Sequence, residues 1–95
     1  MDKNVKNLLL RVKRISFDKI IAKQKKIEYR DCTDYWVSRL VDDVEVSESG
    51  LEQDEKIIYR KFDKVIFLCG KDVYHAKHTG THLDADKGIF EIYFE

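Results

Sequence analysis

The chain has 95 residues, in which 18 Lys and Arg are balanced by 18 Asp and Glu, and it contains no proline. This length predicts a single domain over residues 1–95, and the hydrophobic fraction of 43% is sufficient for a core. The balanced charge excludes the strongly basic composition of an arm-wrapping nucleic-acid binder, and the run at 65–69 is far shorter than the ~18 apolar residues of a membrane span.

The charges are distributed unevenly along the chain. Residues 1–40 hold 11 Lys and Arg and 5 Asp and Glu, a net charge of +6, whereas residues 41–60 hold 2 and 7, a net charge of −5. A local positive field attracts phosphates even on a neutral protein, so we expect an anionic ligand near the first segment. Solvated lysines on a surface helix would give the same count.

A strand and a helix are predicted at the start of the chain. Residues 8–15 change from an apolar run to alternation, which is typical of a strand with at least one buried face. Ser16 is a candidate N-cap for a short amphipathic helix over 17–24. No segment near Met1 has the pattern of an export signal, so we expect a cytoplasmic protein with free thiols at Cys32 and Cys69.

The next two predicted elements carry most of the candidate site. Strict alternation over 25–32 predicts a strand with Lys26, Glu28 and Arg30 on one charged face. Thr33 and Asp34 then predict the N-terminus of a second helix with an apolar stripe over 36–41. Because the charged face lies between the two helices, it is either a surface with a weak ion pair or one wall of a cleft.

The second half of the chain is predicted to be mostly strands. The acidic segment 42–55 lacks sustained periodicity and favours a long loop. Strands are expected at 56–59, at 64–69, within 72–83 and at 89–94. Two early helices among five or six strands predict a small α+β domain built on a curved sheet or a partly closed barrel.

Two further groups of residues suggest ligand chemistry. Tyr35 and Trp36 lie next to the charged strand and are candidates for stacking on a nucleobase, although Trp36 also belongs to the apolar stripe of its helix. His75, His78 and His82 suggest a metal site, but their spacing on a strand does not bring three ligands together. We therefore predict no metal site and no cofactor.

The order of the motifs resembles the ASCH domain family. The resemblance rests on the helix start at 15–21, the Lys25-Lys26 turn, the Glu28-x-Arg30 strand, the segment 35–39, the Val-Ile-Phe-x-x-Gly strand at 65–70 and the terminal Phe-x-Ile strand at 90–92. It covers essentially the whole chain, and the order of the short motifs makes it specific.

This resemblance implies a PUA-like, partly closed β-barrel with a cleft beside the Glu-x-Arg strand, in a family linked to RNA. Some small bacterial members are amidohydrolases that remove the acetyl group from acetylated cytidine with a Lys, a Thr and a Glu. Lys25 matches their lysine, Glu28 stands at their threonine position, and Lys23 or Gln24 stands at the usual turn glycine.

Three hypotheses follow. The first is an RNA- or nucleotide-binding module whose cleft is lined by Lys25, Lys26, Glu28, Arg30, Tyr35 and Arg39. The second is an amidohydrolase acting on a modified pyrimidine nucleoside, with Lys25 and Glu28 as catalytic residues. The third is an adaptor that binds a protein partner through the acidic segment 42–55, which would repel phosphate.

Overall fold

The structure is a computed structural model that describes residues 7–46 and 55–95. In chain order its elements are β1 (Asn7–Arg11), α1 (Arg14–Ile21), β2 (Ile27–Asp31), α2 (Asp34–Leu40), β3 (Val41–Val46), β4 (Glu55–Tyr59), β5 (Lys64–Cys69), β6 (Asp72–Asp84) and β7 (Ile89–Phe94). The predicted small α+β domain is confirmed. Neither helix in the described ranges is long and apolar enough to cross a membrane.

Five of the strands form one sheet in the order β1-β5-β6-β7-β2, and β3 pairs with β4 in a separate hairpin. Strand β1 runs parallel to β5, and the other pairs are antiparallel. The first part of the long strand β6 pairs with β5 and the second part with β7, with a shift of register between His78 and Gly80. A bulge of this kind bends the strand that carries it.

The core lies on one face of this bent sheet, beneath the two helices. Alternate residues of the strands supply most of it, because successive side chains of a strand point to opposite faces. The most deeply buried side chains are Leu10, Leu40, Val65, Phe67, Phe90 and Ile92. Phe17 and Ile20 of α1 complete the core from the helical side.

Several predicted elements are confirmed, and others are shifted. The strands at 64–69 and 89–94 have the expected bounds, and Thr33 is the N-cap of α2, accepting a hydrogen bond from the Trp36 amide at 3.3 Å. The predicted first strand is too long, because the chain turns after Arg11 and α1 begins at Arg14 with Lys13 as its N-cap. Ser16 is therefore inside the helix rather than at its cap.

The acidic segment is the largest error of the sequence analysis. Residues 42–46 and Glu55 belong to the β3-β4 hairpin rather than to a loop, and residues 47–54 lie outside the described part of the chain. The register shifts between Val41 and Asp43, so the alternation that marks a strand is interrupted at its start. With this hairpin, the described residues contain seven strands instead of five or six.

Candidate ligand-binding site

The turn after α1 places Lys25 at the start of the site. Two hydrogen bonds close the helix, from the Lys23 amide to the Ile20 carbonyl at 3.1 Å and from the Gln24 amide to the Lys19 carbonyl at 2.8 Å. This pair of bonds is a Schellman motif, whose C′ residue adopts a left-handed conformation that favours glycine. Lys23 occupies that position with φ 65°. The chain then enters β2 with Lys25 three residues before Glu28.

Glu28 is held between two cations on the buried side of β2. Its Oε1 lies 2.6 Å from Lys25 Nζ, and its Oε2 lies 3.0 Å from Arg30 Nη1. The Glu28 side chain is only 8% exposed, against 25% for Lys25 and 18% for Arg30. Both carboxylate oxygens are therefore occupied by charged partners, as burial of a carboxylate requires.

The orientation of β2 determines what its charged face can do. Glu28 pairs with Ile92 of β7 and is buried, whereas Tyr29 is 48% exposed on the other face. Glu28 and Arg30 of the predicted charged face thus point into the domain, where the carboxylate is committed to an internal ion cluster. Lys26 does not join them, because it precedes β2 and is exposed, and Lys25 takes its place beside Glu28. In this arrangement Glu28 does not present a free acceptor to a nucleobase.

Arg30 connects the two edges of the sheet. Besides its bond to Glu28, it donates from Nη1 to the Tyr29 carbonyl and from Nη2 to the Arg11 carbonyl, both at 2.7 Å. Arg11 ends β1 and Arg30 lies on β2, so one guanidinium joins the first and last strands in the sheet order. Its planar fork, with several donors in fixed directions, suits this bridging role. The guanidinium also lies 5.5 Å from the centre of the Trp36 ring.

Helix α2 presents two aromatic rings and an arginine next to this cluster. The rings of Tyr35 and Trp36 meet edge to face with centroids 5.1 Å apart. The guanidinium of Arg39, one turn later, lies 4.7 Å from the centre of the Tyr35 ring. Tyr35 and Arg39 are exposed, while Trp36 is partly buried against the core.

The predicted cleft is divided into two cavities, each of about 320 Å³. We call the first the arginine cavity, and it is lined by Leu9, Arg11, Arg30, Tyr35, Trp36, Arg39 and Leu68. We call the second the lysine cavity, and it is lined by Ile20, Lys23, Lys25, Lys26, Tyr74, Ala76, Phe94 and Glu95. Of the six predicted ligand residues, Arg30, Tyr35 and Arg39 line the first cavity, Lys25 and Lys26 line the second, and Glu28 is bonded to a residue of each.

Several residues that line these cavities were not predicted from the sequence, among them Arg11, Lys23 and Tyr74. Arg11 was assigned only to a strand, yet its side chain lines the arginine cavity. Lys23 and Tyr74 line the lysine cavity, to which Tyr74 comes from β6, about fifty residues along the chain. Only the local charge density of residues 1–40 hinted at Arg11 and Lys23, and no sequence signal pointed to Tyr74.

A hydroxyl group also lies beside Lys25. The Lys25 ammonium donates to Ser16 Oγ at 3.4 Å, so a serine, a lysine and a glutamate follow one another in space. Ser16 lies in the first turn of α1, which begins at Arg14, and its hydroxyl is next to the lysine there.

The three histidines do not form a common site. His78 is partly buried, with its Nε2 2.8 Å from Thr81 Oγ1 and its ring edge to face with Phe62. Burial lowers the pKa of His78. Within residues 7–46 and 55–95, no three His, Cys, Asp or Glu side chains are grouped so as to hold a metal ion. Cys32 and Cys69 are free thiols, as predicted.

Comparisons of the chain with protein-family models, with curated proteins and with solved structures gave no match. The geometry of the two cavities is therefore the basis on which a function is assigned.

Proposed function

We propose that the protein is a cytoplasmic, ASCH-type module with a PUA-like architecture that binds RNA or a nucleotide in its arginine cavity. One observation carries the proposal: three arginines and two aromatic rings, from β1, β2 and α2, line the same cavity. Arginine engages phosphate through charge-assisted hydrogen bonds, and aromatic rings stack on bases. Nucleotide ligands need both kinds of group in one place.

The residues of the arginine cavity have different roles. Arg11 and Arg39 are exposed and have their guanidinium groups available for phosphate. Tyr35 is 56% exposed and offers a ring for stacking. Arg30 is held by Glu28 and by two backbone carbonyls, so its main role is to hold the walls of the cavity together. The volume of about 320 Å³ is at the lower end of the range of small-molecule sites, ~300–1,000 Å³.

Two features support the PUA-like architecture. A bulge bends the strand that carries it, and β6 has a register shift between the stretch that pairs with β5 and the stretch that pairs with β7. The bond from Arg30 to the Arg11 carbonyl links the first and last strands of the sheet order, as a partly closed barrel requires.

Titration of the purified protein with short single-stranded RNAs and with nucleoside monophosphates at two salt concentrations tests this function. Arg39→Ala should weaken binding. It should also reduce the magnitude of the negative slope of log K against log salt by about 0.7, the value for one phosphate contact on a single strand. Tyr35→Ala should cost about 1–3 kcal/mol of binding free energy through loss of stacking. Lys87→Ala removes an exposed charge from the β6-β7 turn and is the matched control.

Two results would overturn the proposal. Wild-type protein that binds none of these ligands at low salt has no such site. Equal affinities for Arg39→Ala, Lys87→Ala and wild type would place binding elsewhere. Arg30→Ala is a poor first variant, because it removes a partner of a buried carboxylate and so destabilises the fold as well as altering the cavity.

A second candidate function is the hydrolysis of an acetylated nucleoside in the lysine cavity, and the contact between Ser16 Oγ and Lys25 Nζ favours it. In this reaction water adds to the acetyl carbonyl, the carbon–nitrogen bond breaks, and acetate and the free amine leave. Lys25 would stabilise the negative oxygen that forms on the carbonyl carbon. Glu28 would have to give up one of its ion pairs to accept a proton.

Incubation with acetylated cytidine tests this alternative. Release of acetate by wild type and by Lys26→Ala, but not by Lys25→Ala, would support it. Absence of acetate release by the wild-type protein would remove the hydrolase from consideration and leave the binding function intact.

A further inference from the structure

One face of β1, β5 and β6 is open to solvent. Inward-facing residues such as Leu10 and Phe67 are buried in the core, and the residues between them point the other way. Pairing puts nine of these outward residues in register, three from each strand, and we call them the outer face. They are Asn7, Leu9 and Arg11 of β1, Lys64, Ile66 and Leu68 of β5, and Val73, His75 and Lys77 of β6. Leu9 is 56% exposed there and Val73 is 54% exposed.

The charge of the outer face has one sign. Arg11, Lys64 and Lys77 are exposed on it, together with the exposed ring of His75. None of its nine positions is acidic. Three carboxylate residues border it: Asp63 next to Lys64, Asp72 next to Val73, where it is paired with Arg14, and Glu95, whose backbone pairs with that of Lys77. In a protein with equal numbers of acidic and basic residues, nine neighbouring positions that hold three cations and no carboxylate complement a polyanion.

The outer face continues the arginine cavity. Leu9, Arg11 and Leu68 belong to both, so a ligand in the cavity already contacts one end of the face. At the other end a second hollow, of about 380 Å³, is lined in part by Lys64, His75 and Lys77. Lys64 and Leu68 mark these two ends on β5, and four residues of a strand span about 13 Å. Phosphates on one strand of a duplex are ~3.4 Å apart along the axis, so a nucleic acid that reaches both ends has several nucleotides.

We propose that single-stranded RNA held in the arginine cavity continues across the outer face to Lys64 and Lys77. This inference rests on the proposed function and specifies its ligand as an oligonucleotide, because a mononucleotide in the cavity would not reach the far lysines. The apolar positions between the cations suit unstacked bases, which a single strand exposes and a duplex does not. A second copy of the chain is a poor occupant, since a symmetric contact would bring two such cationic faces together.

Binding of two oligouridylates, of two and of ten nucleotides, separates this path from the cavity alone. For the ten-nucleotide RNA, the double variant Lys64→Ala/Lys77→Ala should reduce the magnitude of the slope of log K against log salt by about 1.4, which is two phosphate contacts. Its loss of affinity relative to wild type should therefore be roughly 25-fold larger at 0.1 M than at 1 M salt. Its affinity for the dinucleotide should equal that of wild type. Lys19→Ala/Lys87→Ala removes two exposed charges from other surfaces and should leave both affinities unchanged.

The outcomes distinguish the two proposals. If the double variant binds the ten-nucleotide RNA like wild type while Arg39→Ala weakens both RNAs, the path is wrong and the cavity stands. If wild type binds neither RNA, the proposed function fails and the path with it. An independent measurement is photocrosslinking of a 4-thiouridine-labelled ten-nucleotide RNA, for which we expect adducts within residues 64–77. Adducts confined to α2 would overturn the path.

Discussion

Replacing Arg30 by alanine tests the ion cluster on which both cavities depend. The variant would leave the Glu28 carboxylate, which is 8% exposed, with Lys25 as its only charged partner. Removing one partner of a buried ion pair costs about 3–5 kcal/mol. Since Lys25 remains 2.6 Å from the carboxylate, we expect the lower end, about 3 kcal/mol, from a total stability of about 5–15 kcal/mol.

Urea unfolding at neutral pH measures this change, with ΔG taken from the midpoint and the m-value. Lys25→Ala should cost less than Arg30→Ala, because Lys25 is the more exposed partner and makes fewer hydrogen bonds. Arg30→Lys should recover only part of the loss, because an ammonium group does not reproduce the planar fork that reaches Glu28 and the Arg11 carbonyl. Arg39→Ala is the control for an exposed arginine. If Arg30→Ala and Arg39→Ala unfold at the same urea concentration, the cluster does not stabilise the fold.

Three further predictions concern the fold around the site. Because burial lowers the pKa of His78 below its ordinary 6.5, the unfolded chain takes up the proton first, and stability should fall as the pH drops from about 6.5 through the lower folded value. His78→Gln should remove that part of the pH dependence of the urea midpoint, and an unchanged profile would contradict it. Leu10→Ala should cost about 2–5 kcal/mol and Leu9→Ala about 0.5 kcal/mol or less, since only Leu10 is buried; equal losses would refute the register of β1. Lys23→Gly should stabilise the fold by about 0.5–1 kcal/mol and so raise the thermal midpoint, because Lys23 has φ 65°, a left-handed conformation that favours glycine. A lower midpoint would argue against the left-handed turn.

Much of the local structure could be predicted from the sequence. Strand β5 is an apolar run that ends before Gly70, and β7 has a buried residue at every second position, so local pattern gives the bounds of both. The cap at Thr33 depends on three neighbouring residues and was equally predictable. The start of α1 was predicted wrongly because residues 12 and 15 fit both a strand and a helix. Strand β4 was predicted at 56–59, but its partner β3 was missed because the register between them is interrupted at the start of β3.

By itself, the sequence determined that Glu28 and Arg30 are neighbours, because residues two apart on a strand share a face. The same alternation placed Lys26 beside them, whereas the second partner of Glu28 is Lys25, from the turn before β2. Only the tertiary structure decided which way they face. Pairing of β2 with β7 sets Glu28 opposite Ile92 and turns the charged face inward, and a shift of one residue would have turned it to solvent. The contact of Arg30 with the Arg11 carbonyl, and with it the arginine cavity, depends on the approach of the first and last strands of the sheet, which no local pattern of residues encodes.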